Sequence, residues 1–216
     1  MLGINIGIDL GTTSVIAYIE GEGIVLSEPS VVAYRNKTGR IMAMGKAAYK
    51  MIGREPSSVQ VIRPMKDGVV SDFTVTEQML RYYIKKICGN KIFKPNIIVS
   101  IPGTVTNLEK RTILDVITAS GAGKACLIEE PLAAAIGAGI DIIHPTGVMV
   151  VDIGGGTTDI AVITMGTMAV ASSIRVAGNL LNEDIVRYCR RERDILIGEL
   201  TAEEIKKRVG CAYLRK

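Results

Sequence analysis

The sequence predicts an α/β protein built in two lobes, on three observations. Short β-rich runs alternate with helix signatures along its 216 residues. Two of those runs, 143 residues apart (152 − 9), each close into a bare hairpin of Asp, an aliphatic residue, glycine and paired threonines between apolar strands. Hydrophobic residues make up 48% of the chain, enough for one large core or two small ones.

Ile4 to Ile8 and Val15 to Ile19 flank Asp9-Leu10-Gly11-Thr12-Thr13-Ser14, which reads as a strand, a tight turn and a returning strand. Short strands follow near Gly23 to Leu26 and Ser30 to Tyr34. The polar turn Asn36-Lys37-Thr38-Gly39 leads into Arg40 to Met44 and a helical stretch from Lys46 to Ile52, and this β-rich insertion ends near Pro64. Thr74-Val75-Thr76-Glu77 has the form of a capping box, so Thr74 is expected to cap a helix on which Val75, Met79, Tyr83 and Ile87 recur every four residues. Gly89 is expected to end it.

Ile97 to Pro102 is a continuous apolar strand, Thr106 to Glu109 caps a helix running to about Ser120, and Ala125 to Glu130 is the next strand. That order implies a parallel, right-handed crossover. Pro131 suits the first turn of a following helix. Thr201-Ala202-Glu203-Glu204 reads as a third capping box, which leaves Glu203 and Lys206 three apart on one helical face, with an ordinary surface ion pair as the bland alternative.

Several function classes fall away. The formal charge is +4, but basic and acidic residues are interspersed and aromatics reach only 4%, so no nucleic-acid partner is expected. Cys88, Cys126, Cys189 and Cys211 form no C-x-x-C pair and His144 has no ligand-spaced partner, which excludes a zinc site and a Ser-His-Asp triad. Reduced, buried thiols fit a cytosolic compartment. Asp9 interrupts the first apolar run, and no later run reaches the ~18 apolar residues of a membrane span, so a cytoplasmic protein, at most peripheral to a membrane, is expected.

Set over one another with a two-residue gap, "IGIDLG..TTSVIAY" and "MVVDIGGGTTDIAVI" share one pattern: apolar strand, Asp, aliphatic residue, Gly, Thr-Thr, apolar strand. Either alone could be an ordinary turn, since Asp and Gly favour turns and Thr favours strands. Two copies heading two α/β units point to a bipartite phosphate clamp. Glycines let backbone amides approach an anion, and threonine hydroxyls add donors. Asp9 and Asp152 would repel phosphate directly and suit Mg²⁺ held largely through water and phosphate oxygens. Gly123-Lys124 lacks the spacing and the following Ser or Thr of a P-loop, and the Gly154 run lacks G-x-G-x-x-G.

Asp9 to Thr13, Glu129-Glu130-Pro131 with Ala133-Ala134-Ala135, and Asp152 to Thr157 stand in the order that marks the actin, sugar-kinase and DnaK-chaperone superfamily of ATPases. The stretches "EPSVVAY", "IRPMKDGVVSDF", "TDIAVITMG", "SIRVAG" and "IGELTAEEIK" resemble the bacterial actin family MreB/Mbl, from about Ile6 to Gly210. The resemblance implies an actin-like (ribonuclease H-like) ATPase fold. Residues 1–33 and 67–145 would form the first-lobe core, 34–66 a small β-rich insertion, 146–180 the second-lobe core and 181–216 its outer subdomain. The family continues past the position of Lys216, so the second lobe is expected to be incomplete and to expose sheet edges.

The resemblance further implies ATP and Mg²⁺ held between the lobes by Gly11, Thr12, Thr13 and Ser14 on one side and Gly154, Gly155, Gly156, Thr157 and Thr158 on the other. Glu130 and Thr157 would act in slow hydrolysis, while Glu203 and Lys206 would reach ribose and adenine. Alternate strand residues face opposite ways, so Glu130 rather than Glu129 is expected to face the cleft. Ile92 and Phe93, between Lys91 and Lys94, would dip into the inner membrane surface, unless Phe93 folds back into the core. The implied role is a membrane-associated filament, built by self-association, that works with cell-wall elongation proteins to maintain rod shape. A small-molecule kinase would need an acceptor-binding insertion that no segment resembles, and a chaperone ATPase would need a peptide-binding domain. An inactive remnant of the same fold stays open.

Overall fold

Alternating apolar residues drive the first sheet together. The computed structural model describes residues 3–89 and 93–213. In it β1 (Asn5–Leu10), β2 (Ser14–Ile19) and β3 (Gly23–Pro29) run antiparallel in succession. The chain then leaves to build a separate small sheet from β4 (Val32–Arg35), β5 (Ile41–Met44) and, after the short helix α1 (Lys46–Tyr49), β6 (Val59–Ile62). Its own small core is Val31, Ala33, Ala48 and Val59. A two-stranded turn, β7 (Met65–Lys66) with β8 (Val69–Val70), brings the chain back.

Then come α2 (Phe73–Cys88), β9 (Asn96–Ile101), α3 (Asn107–Ala119), β10 (Lys124–Glu129) and α4 (Glu130–Gly137). β9 lies parallel to both β1 and β10, giving a five-stranded sheet ordered β10-β9-β1-β2-β3. Ile6, Ile8, Leu10, Val15 and Ala17 turn inward from it onto Met79, Leu80, Tyr83 and Ile84 of α2 and Ile113, Val116 and Ile117 of α3. Burying each of the larger aliphatic side chains contributes about 1.5–3 kcal/mol.

β11 (Val148–Ile153), β12 (Thr158–Thr164) and β13 (Thr167–Ile174) form a second, antiparallel sheet, followed by α5 (Gly178–Arg193) and α6 (Glu199–Val209). α4 packs against β9 and β10 on one side and β11 and β12 on the other, so it sits between the sheets. The second sheet leaves Met149, Val151, Ile153 and Val170 exposed.

Two helix starts differ from the sequence reading. Asp72, not Thr74, caps α2: its carboxylate accepts from Val75 N, while Glu77 bonds Arg81 instead of reaching back. Asp72 is the stronger cap acceptor and lies directly before Phe73, which puts Thr74 inside the first turn. α6 likewise starts at Glu199 after Gly198, with no side-chain cap, so Thr201 lies within the helix and no third capping box forms. The box at Thr106 and Glu109 is present in both directions.

Candidate functional site: two facing hairpin loops

The two bare hairpins are the same structure, and the gap assumed between them is not there. Leu10 pairs with Val15 and Asp9 with Ile16; Ile153 pairs with Thr158 and Asp152 with Asp159. Each turn is closed by the same bond, Gly11 N–H to Ser14 O at 3.0 Å and Gly154 N–H to Thr157 O at 2.9 Å. The ladders make Gly155 and Gly156 the counterparts of Thr12 and Thr13, and Thr157 the counterpart of Ser14. Matching threonine to threonine had shifted the strands by two residues, and a two-residue shift preserves the apolar alternation, so the sequence pattern alone could not detect it.

The loops meet face to face. A Cβ on Gly155 would lie 1.6 Å from Thr13 Oγ1, and one on Gly156 would lie 2.8 Å from Thr12 Oγ1 and 3.1 Å from Asp67 Cα. Only glycine permits that approach. Thr12 Oγ1 accepts from Gly68 N at 3.0 Å, which holds the first loop against the turn between β7 and β8. The second loop is held by the start of α5, where Gly178 N–H donates to Gly154 O at 3.1 Å and Asn179 N–H to Gly155 O at 2.8 Å. Thr13 Oγ1 is buried between the loops with no hydrogen-bond partner among the described residues, as suits a hydroxyl that meets a bound anion.

A cavity of about 300 Å³ opens beside the loops, lined by both of them together with Asp9, Asp152, Glu130 and Ser100. Glu130 is the first residue of α4, and Ala133 and Ala134 on the next turn also border the space. Glu129 turns away and stands 3.9 Å from Lys110. Ser100 Oγ donates to Asp9 Oδ1 at 3.0 Å. Thr158, expected among the ligand contacts, is outside the lining: its hydroxyl bonds Val176 O at 2.7 Å.

The acids raise one another's proton affinity. Burial pushes Asp9's carboxyl above its usual range, the Ser100 bond works against this and the charge of Asp152 adds to it. Asp152 is pushed up by burial and then by Asp159. Glu130 is pushed up to about 8, by burial first and then by Asp9, Asp159 and Asp152. Such a cluster favours a cation. Among the described residues no group of three or more His, Cys, Asp or Glu side chains is arranged to hold one alone. Two carboxylates beside two glycine-containing turns suit the sparse protein ligation of Mg²⁺, which keeps waters and takes phosphate oxygens where a phosphate is present.

Glu203 and Lys206 do not form a pair with each other. Glu203 accepts from the Tyr49 hydroxyl and from Lys207 at 2.6 Å, while Lys206 Nζ donates to Gly178 O at 2.7 Å, beside the second loop. Burial disfavours the Glu203 carboxylate, but Lys207 and Tyr49 outweigh it and hold its pKa below the usual range. Four residues earlier on α6, Glu199 meets Arg63 at 2.5 Å. Ile92 lies outside the described residues. Phe93 is 51% exposed and does not fold back into the core.

Sequence reasoning missed Ser100 and Asp159, although each was signalled by one polar side chain interrupting an apolar strand. Gly68 and Asp67 gave no local signal. Their place against the loops comes from the tertiary fold.

The MreB/Mbl protein family profile matches residues 3–216. The cell shape-determining protein Mbl of Bacillus subtilis (strain 168) is 48% identical over 210 residues, covering 97% of this chain and 63% of that protein. The cell shape-determining protein MreB of Escherichia coli (strain K12) is 47% identical over 215 residues, covering 97% and 62%. The chain thus spans somewhat under two thirds of the length of these curated relatives. Among solved structures, MreB5 of Spiroplasma citri bound to AMPPNP superposes with a TM-score of 0.94 at 40% identity, covering 100% of this chain and 65% of that one. The MamK double helical filament, at 22% identity and a TM-score of 0.81 over 94% and 64%, shares the fold.

Proposed function

The chain belongs to the MreB/Mbl family and has its actin-like fold, and from that premise we propose that it binds ATP with Mg²⁺ between the two hairpin loops and works as a bacterial actin in maintaining cell shape. The observation that carries the reading is the close approach of Gly155 to Thr13, which brings together two anion-binding turns from two sheets. The match to a relative bound to AMPPNP supports it, as does one bound to ADP at 40% identity.

Gly11 to Ser14 and Gly154 to Thr157 would cradle the phosphates. Asp9 and Asp152 would hold Mg²⁺ through water, and the ion would supply charge neutralisation on the phosphate oxygens. Glu130, first residue of α4 at the cavity wall, would orient the attacking water, with Thr157 helping to polarise it. Lys206, on the Gly178 carbonyl beside the second loop, is the contact on the nucleoside side. Residues 1–33 and 67–145, with the insertion 34–66, form one lobe; 146–180 with 181–216 form the other.

At the scale of the whole protein the reading is self-association into filaments at the inner face of the cell membrane, reached through Ile92 and Phe93, together with cell-wall elongation proteins and slow ATP hydrolysis. No described helix is long and apolar enough to cross a membrane. Calorimetric titration with MgATP tests the binding site, and sedimentation with and without MgATP tests assembly. Absence of heat in the first would remove the nucleotide reading; pelleting indifferent to nucleotide would remove the filament.

A further inference from the structure

Two loops carried by different sheets can grip one ligand only if the sheets keep a fixed spacing close to the loops. The segment that leaves β9 meets both hairpins. Ser100 Oγ donates to Asp9 Oδ1 on the first, and three residues later Gly103 N–H donates to Asp159 Oδ1 on the second, each at 3.0 Å. Between them Pro102 packs on the turn that supports Thr12, since a Cβ on Gly68 would fall 2.4 Å from Pro102 Cγ.

Asp159 is 1% exposed and stands opposite Asp152 in the β11–β12 ladder, so the two side chains share one face of the sheet. Gly103 is seated on the same sheet, where a Cβ would lie 3.6 Å from Ala171 Cβ and 3.9 Å from Met168 Cε. Asparagine would accept the Gly103 bond without adding a negative charge beside Glu130. A buried carboxylate is a costly way to make it, but a charged acceptor binds an amide more strongly than a neutral one.

We propose that Asp159 is a positioning residue: by accepting the Gly103 amide it locks β12 to the end of β9 and holds the two phosphate loops at gripping distance. The assignment rests on the nucleotide reading of the cleft. Asp159 itself touches no phosphate in this scheme; it acts through the placement of Gly154 to Thr157.

The test compares Asp159→Ala, which removes the acceptor, with Asp159→Asn, which keeps one oxygen in place, in the full chain. Two readouts are needed: amide hydrogen exchange at Gly103 without nucleotide, and affinity for a fluorescent N-methylanthraniloyl ATP with Mg²⁺. Asp159→Ala is expected to lose protection at Gly103 and to bind the nucleotide roughly tenfold more weakly, with Asp159→Asn recovering most of both. Asp72→Ala, a helix-cap loss outside the cleft, serves as the comparison for general destabilisation and should leave the affinity in place.

Parent affinity in Asp159→Ala despite an unprotected Gly103 overturns the proposal, and so does equal weakening in Asp72→Ala. If Asp159→Ala does not fold, Asp159→Asn decides, and loss of Gly103 protection there overturns it. A parent chain that binds no nucleotide removes the reading of the site instead, and the lock then stands or falls on Gly103 exchange alone.

Discussion

Replacing Glu130 by glutamine should stabilise the nucleotide-free protein, and increasingly so as pH rises. Glu130's pKa is raised from 4.5 to about 8 by burial and by Asp9, Asp159 and Asp152. For an acid shifted upward the folded chain holds its proton more tightly than the unfolded chain. The residue is therefore neutral to stability below about pH 4.5, costs more as pH rises toward 8, and reaches a plateau above that. The interval corresponds to about 5 kcal/mol at full ionisation and about 3 kcal/mol at pH 7. Glutamine keeps the shape and removes the charge. Urea unfolding followed by circular dichroism, stepped from about pH 5 to pH 9, should show the parent losing stability and Glu130→Gln losing markedly less. Asp9 and Asp152 are shifted the same way and will leave a residual slope. Parallel curves, or a glutamine variant less stable than the parent at pH 8, would refute the placement of Glu130 among buried acids.

Gly155→Ala puts a methyl group 1.6 Å from Thr13 Oγ1; it should force the loops apart and abolish measurable MgATP binding by calorimetry, while the far-UV spectrum stays that of the parent. Asp72→Ala should destabilise by about 1 kcal/mol and Thr74→Ala by much less in urea titrations, the reverse of what a Thr74 cap would give. A double-mutant cycle on Arg63→Ala and Glu199→Ala should return a coupling of about 1 kcal/mol, because Arg63 is only 20% exposed in that pair; a coupling of zero would mean that this pair adds nothing to the hold on α6 that the Tyr49–Glu203 bond provides.

Local chemistry made much of this protein legible. The Thr106 box, the Gly89 stop on α2 and the apolar runs of β1, β2, β9 and β10 each depend on neighbours within a few residues, and each formed to within a residue or two of where it was expected. Asp9 and Asp152 were legible because polar side chains near the ends of apolar strands have few structural reasons to be there, whereas Glu130 was singled out by the family resemblance and lies at the start of α4. What escaped was set by competition or by distance. Asp72 outcompeted Thr74 for the first-turn amides, and Thr201 lost its cap to a helix that started three residues sooner. The ungapped match of the hairpins was hidden because paired threonines recur in both at different ladder positions. Tyr49 and Glu203 lie 154 residues apart, and nothing local marks either one for the other.

The ungapped likeness of the two turns has a consequence for selectivity. A pincer with matched jaws measures the object between them chiefly by span, so if the cleft takes a nucleotide as proposed, the interval between opposed glycines and hydroxyls, rather than any single side chain, should set how strongly a long phosphate chain is held relative to a short one. Lengthening either jaw by one residue would then retune which chain fits, and shortening the other by one would not restore the original fit, because the bite would have moved off centre.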